Sequence, residues 1–219
     1  MSKLPEPYRI CDAEIKLLNR QMLRIAEKAK KKLNIQNFDE VNVINVIDTM
    51  YSELSTDAHK RIKELYVEKC GELYTYLQAE GFKMRDYEDS IDELIEMWMV
   101  GLLEVPNPTT TYIYEMEVYR KRDRANESIN AVKGKSAKLS EIDKAIRIWS
   151  RMNGWYMILA SQDAEIQMYK ECGVKKVQRH EMNDDRTCDD CMAEDGAIYD
   201  VDKIPPTHPN CRRYFTVVK

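Results

Sequence analysis

The chain has 219 residues, 43% hydrophobic and 33% charged, with seven Gly and seven Pro. That balance excludes disordered and collagen-like classes, leaves room for one main core with a small appendage, and predicts long helices because turn formers are scarce. The net charge of −4 is spread unevenly: residues 39–104 hold 16 acidic against 6 basic side chains, residues 119–152 hold 10 basic against 4 acidic, and residues 181–202 hold 9 acidic against 1 basic.

The opening "MSKLPEPYRI" lacks an apolar core of signal-peptide length, and nowhere do apolar residues run on for a membrane span. A soluble protein made in the cytosol, with no membrane contact, is expected. Six cysteines in a chain of this length do not resemble the disulfide framework of a small secreted domain. Cys11, Cys70 and Cys172 are expected to be buried thiols.

In chain order, Ile15, Leu18, Met22, Ile25, Ala29 and Leu33 alternate spacings of three and four, which predicts a helix with a basic opposite face. Asn37 and Glu40 then stand in capping-box spacing before a stripe of Ile44, Ile47, Tyr51 and Leu54. Ile62, Leu65, Leu73 and Leu77 continue a stripe beyond Ser55 and Thr56, so the pattern predicts one very long helix or two joined near Ser55, ending at Gly81. Ser90 and Glu93 open the next helix, with an apolar face of Ile91, Leu94, Met97, Trp98 and Leu102.

"VPNPTTT" breaks the pattern near 105–110, because Pro106 and Pro108 lack backbone donors and force extended conformations. Helical sequence resumes over "YIYEMEVYRKRDRANESINAV", pauses around Gly134, and continues to Gly173 with a possible bend at Gly154. From Val174 the texture changes. "VKKVQRHEM" alternates and "RRYFTVVK" is rich in aromatic and β-branched residues, so the two are expected to pair as antiparallel strands.

Between them lies "RTCDDCMAEDGAIYDVDKIPPTHPNCRR", holding Cys188, Cys191, His208 and Cys211. Two close pairs joined by a loop form the pattern of a tetrahedral zinc site, and thiolates with an imidazole suit Zn2+ better than magnesium or calcium. Four protein ligands leave no position for an activated water, so the expected role is structural. About 45 residues of small β structure bury little, and a structural zinc contributes on the order of 10 to 16 kcal/mol of apparent binding free energy. Pro205, Pro206 and Pro209 stiffen the approach to His208 and Cys211, while Gly196 permits the turn after the first pair.

Other readings compete. Clustered ordinary thiols are one. A catalytic Cys188–Cys191 dithiol is another, but Asp189, Asp190 and Glu194 would raise the thiol pKa that such chemistry needs lowered. "HEMND" begins like a metalloprotease signature yet places Asp184 where the second His belongs. A nuclease would have only His180 near the site once His208 binds zinc, and His59 is expected to be exposed.

The run Asp184, Arg186, Cys188, Cys191, Gly196, Pro205, His208, Pro209, Cys211 and Arg212 resembles, position by position, the carboxy-terminal signature of the Mu F-like minor head proteins, or head morphogenesis proteins, of tailed bacteriophages. Arg213 stands where many members have another Cys, and His180 where an aromatic residue such as Trp is common. The first departure leaves His208 as the fourth ligand. The resemblance implies a low-copy virion component at the portal vertex, made in the bacterial host cytoplasm and acting in head assembly or genome delivery. Portal and major capsid proteins are the implied partners, and an oligomeric assembly is compatible. Some members carry a toxin domain beyond the motif, and none is expected in the eight residues after Cys211.

The expected architecture is therefore mainly α, α+β overall: a long-helix domain at residues 1–173 with a break near 105–110, and a small zinc-supported β unit at residues 174–219. No enzymatic activity is expected. The alternative is a nucleic-acid-binding zinc module that contacts packaged DNA through the basic span 119–152 with Arg212 and Arg213.

Overall fold

The computed structural model describes residues 5–33, 39–84, 91–103, 112, 116, 120–133, 139–185, 187–206, 208 and 211–219. The Pro106–Pro108 break, the Asn37 and Ser90 caps, the Gly134 connector, and Arg186 and Pro209 of the motif lie outside them. The order is α1 (Arg9–Lys32), α2 (Glu40–Ala79), α3 (Ile91–Leu103), α4 (Lys121–Val132), α5 (Leu139–Glu171), β1 (Lys176–Glu181), α6 (Asp189–Ala193), β2 (Ile198–Asp200) and β3 (Arg213–Val218). The protein is mainly helical, with a small carboxy-terminal antiparallel sheet that carries the Cys/His cluster.

α2 is one continuous helix of 40 residues. Ser55 and Thr56 do not break it: Ser55 is buried, and the Thr56 hydroxyl donates back to the Ser52 carbonyl at 3.0 Å. The hydroxyl thus bonds within the helix instead of competing with its ladder. The helix ends where the sequence requires, at Gly81 with φ +90. Phe82 N–H reaches the Leu77 carbonyl at 2.9 Å and Gly81 N–H that of Gln78 at 3.0 Å, the paired bonds of a left-handed helix stop. α5 ends the same way at Gly173, after running unbroken through Gly154.

Contact clustering divides the chain into two compact units. One comprises residues 13–62 and 101–156. Its core centres on Trp149, which meets Tyr51 edge-on with ring centroids 5.4 Å apart. Tyr51 bonds Ser128 at 3.1 Å, and Tyr112 donates to Asn153 at 3.0 Å. His59 is half-buried, its ring edge-on to Tyr112, rather than exposed as the polar sequence around it suggested.

The other unit comprises residues 1–12, 63–100 and 157–219. In the part of α3 within this unit the buried residues are Leu94, Ile95, Trp98 and Met99, while Met97 is exposed. The burial stripe is rotated from the expected face because Ile95 and Met99, an i,i+4 pair, define its centre. Residues 174–219 cluster with the α5 carboxy-terminal half in this unit.

The sheet has strand order β2-β1-β3. The expected pairing of the two runs is observed, antiparallel from Lys176 opposite Val218 to Glu181 opposite Arg213. On β1, Val177, Arg179 and Glu181 are buried, while Gln178 and His180 face the other way. Phe215 on β3 is buried and its carbonyl accepts the Tyr169 hydroxyl of α5 at 2.7 Å.

Candidate metal centre

The first cysteine pair is placed by the start of a short helix. Cys188 is the residue before α6, with extended backbone, and its carbonyl accepts Met192 N–H at 3.0 Å. Cys191 follows inside α6, and its carbonyl accepts Glu194 N–H at 3.1 Å. Gly196, at φ +81, turns the chain back so that its N–H reaches the Arg179 carbonyl at 2.9 Å. The second pair is closed by Cys211 N–H to the His208 carbonyl at 3.2 Å.

These two knuckles bring the predicted residues together. Cys188 Sγ lies 3.4 Å from His208 Nε2, Cys191 Sγ lies 2.8 Å from the same nitrogen, and Cys191 Sγ lies 3.5 Å from Cys211 Sγ. Donor atoms of Cys188, Cys191 and His208 all fall within 4.8 Å of one another, and so do those of Glu181, Cys191 and Cys211. Both groups could hold a metal ion, and Cys191 belongs to both.

The donor chemistry and most of the spacing fit zinc. Bond lengths of ~2.3 Å to sulfur and ~2.0 Å to nitrogen imply tetrahedron edges of ~3.8 Å between sulfurs and ~3.5 Å from sulfur to nitrogen. The 3.4 Å and 3.5 Å separations match such edges, whereas 2.8 Å between Cys191 and His208 is a thiol–imidazole hydrogen bond that an ion would spread. Cys191 and Cys211 are buried and Cys188 is exposed, so the cluster opens to solvent on one side.

Burial, followed by contacts to Cys211 and Cys188, pushes the Cys191 thiol up to about 12. Alone it is a protonated, inert thiol at neutral pH, the opposite of an activated redox cysteine. Binding a divalent cation would convert it to thiolate and release its proton.

A buried charge network surrounds the cluster that spacing could not reveal. Arg179 Nε donates to Glu181 Oε1 at 2.7 Å, and its Nη1 pairs with Glu194. The Glu181 carboxylate thus accepts from Arg179, while its backbone N–H donates to Asp195 Oδ1 at 2.9 Å. Its carboxylate lies within 4.8 Å of the Cys191 and Cys211 sulfurs. The alternation of β1 is the only sequence signal that places Arg179 and Glu181 on this face.

Arg212 and Arg213 are both buried. Arg212 grips Asp12 through two bonds of 2.9 Å, and Arg213 Nη2 donates to the Pro205 carbonyl at 2.6 Å. Burial and the like charge of Arg179 lower the basicity of Arg213, while a thiolate at Cys211 favours its charged form. His180 is not part of the cluster: it bonds Thr216 at 2.8 Å and stacks on Tyr214 on the opposite face of β1.

No helix among the described residues is long and apolar enough to cross a membrane. Compared with family models, curated proteins and solved structures, the chain matches none.

Proposed function

We propose that the protein is a phage minor head protein, a low-copy virion component that docks at the portal vertex and acts in capsid assembly or genome delivery. In this reading Cys188, Cys191, His208 and Cys211 hold a structural Zn2+ that stiffens the carboxy-terminal sheet as part of a docking surface. What supports the reading is the ordered motif around these residues, together with the closeness of the Cys188, Cys191 and His208 donor atoms and of Cys211 to Cys191. With four protein ligands the ion would stabilise structure without activating water, so no catalysis is assigned.

Two experiments test it. Purified protein should contain close to one zinc per chain, and Cys188→Ser combined with Cys211→Ser should lose it; full retention by the double variant would sink the site. Co-expressed portal or major capsid protein should retain the chain through purification. Retention by neither removes the virion role.

A second reading, binding to packaged DNA, is favoured by one observation. Lys16, Arg20, Arg24 and Lys31 are exposed on α1, on the side opposite buried Leu18, Met22, Ala26 and Ala29, with exposed Lys32 and Lys28, the latter paired to Glu53, at the edge of that side. Arg212 and Arg213 drop out of this interface because both are buried, and Arg212 is ion-paired. A surface neutralising about six phosphates loses on the order of a thousandfold in affinity between 50 and 200 mM salt. DNA retention insensitive to salt, or unchanged by Arg20→Gln with Arg24→Gln, counts against it.

A further inference from the structure

Cys211 sits at the start of a bonded path that leaves the metal-binding segment and ends on the first helix. Gln162, buried on α5, uses both hydrogens of its amide nitrogen: one goes to the Cys211 carbonyl at 2.8 Å, the other to the Tyr8 hydroxyl oxygen at 2.8 Å. Tyr8 spends its single hydroxyl hydrogen on the Arg213 carbonyl at 2.6 Å. Both hydrogens of the Gln162 amide nitrogen are thus used, while its buried Oε1 has no partner, so the side chain is held through its nitrogen from two sides.

Arg212, between these two carbonyls, carries the tie further. Its guanidinium forks onto the Asp12 carboxylate at 2.9 Å and 2.9 Å and stacks over the Tyr8 ring, 4.6 Å from the centroid. Its Nε also lies 3.3 Å from Asp184 Oδ2. The Lys69 ammonium holds the same arm from below, donating to the Pro7 carbonyl at 2.8 Å. Cys211, Arg212 and Arg213 are therefore each bonded to residues 7–12, directly or through Gln162.

The energetics make this seat two-sided. If the arm lifts, Lys69, Gln162, the Arg213 carbonyl and the Arg212 guanidinium lose partners inside a buried setting, which is costly for each group. If the loop carrying Cys211 moves instead, Tyr8 and Asp12 lose theirs. A bidentate guanidinium–carboxylate pair constrains orientation as well as distance, so it transmits the position of one segment to the other.

We propose that Gln162, Tyr8, Asp12 and Arg212 are positioning residues of the metal centre, and that cation occupancy and docking of the amino-terminal arm, residues 5–12, form one coupled equilibrium. The inference rests on Cys188, Cys191, His208 and Cys211 being the zinc ligands. Linkage makes it reciprocal: zinc steadies the arm, and the arm raises zinc affinity by the same factor.

The test uses the full chain and zinc alone. Zinc affinity is measured by chelator competition for the wild type, Asp12→Asn, Gln162→Met and Asp12→Glu, and hydrogen exchange at Tyr8–Asp12 is followed with and without zinc. Asp12→Asn and Gln162→Met should each weaken zinc by about tenfold, Asp12→Glu should recover most of the loss, and zinc removal should speed exchange in the arm. A purely structural role at Asp12 would leave arm exchange indifferent to zinc. Should Gln162→Met fail to fold, the half-exposed Asp12 variants and the wild-type exchange decide the matter. Zinc bound with unchanged affinity in the variants and zinc-independent arm protection overturns this inference and leaves the metal site standing. No zinc binding by the wild type overturns both.

Discussion

Glu165 shows how one side chain ties the helical and β parts of the same unit together. It is fully buried on α5, where Oε1 lies 3.3 Å from Phe215 N–H and 3.2 Å from the Tyr169 hydroxyl. Tyr169 has one hydroxyl hydrogen to share between Glu165 Oε1 at 3.2 Å and the Phe215 carbonyl at 2.7 Å. Burial raises the pKa of this carboxyl, against the opposing pull of the Lys69 ammonium and of the donated Phe215 N–H and Tyr169 hydroxyl. A folded pKa raised above the unfolded value gives stability that is complete below about pH 4.3 and is lost as pH rises through the folded value. Glu165→Gln keeps a donor and an acceptor without the titration. Urea unfolding should show the variant gaining on the wild type as pH rises from about 4.3; a pH-independent difference would refute a raised Glu165 pKa.

The clustering of Cys188, Cys191 and His208 was legible at this scale because short fixed spacing brings such side chains together. Their supports were not. Nothing in the local sequence marks Gln162 as a partner of Cys211, 49 residues later. Arg212 and Arg213 looked like surface cations beside the motif, yet the fold buries both and gives Arg212 to Asp12.

At the scale of elements, helix stops were the most readable feature, since a left-handed residue at a helix end favours Gly wherever it occurs. Gly173 takes φ +72 between α5 and β1. Replacing it with Ala places a Cβ in that conformation, at a cost of about 1 kcal/mol or more, measurable by urea unfolding. β1 was readable from alternation and β3 from its aromatic and β-branched residues, but β2 was not. It has only three residues, leaves Ile198 exposed, and exists because Gly196 folds the chain back onto β1. Phe215 is the large apolar residue through which β3 joins the core, so Phe215→Ala should destabilise by about 3–5 kcal/mol in thermal or chemical unfolding.

At the scale of the whole molecule, the unit that contains the Cys/His cluster is assembled from three separate stretches of chain, 1–12, 63–100 and 157–219. A zinc-bound carboxy-terminal piece is therefore short of partners when cut free: Tyr169, Glu165, Gln162 and Tyr8 all lie outside residues 174–219 and bond into it. Expressed alone, residues 174–219 should bind zinc more weakly than the full chain by chelator competition. Equal affinity would show that the metal suffices to order the segment by itself.

What the sequence determined by itself was whatever depends on near neighbours: helical periodicity, Gly stops, strand alternation, and a paired Cys/His spacing whose ligands must lie close along the chain. Which exposed-looking charges are in fact buried, that Glu181 and Arg179 stand beside the thiols, and that Tyr8 and Asp12 reach the segment after Cys211 were decided only by tertiary structure. Those contacts join residues up to 205 positions apart, and burial of a polar group is set by the partners that surround it in space.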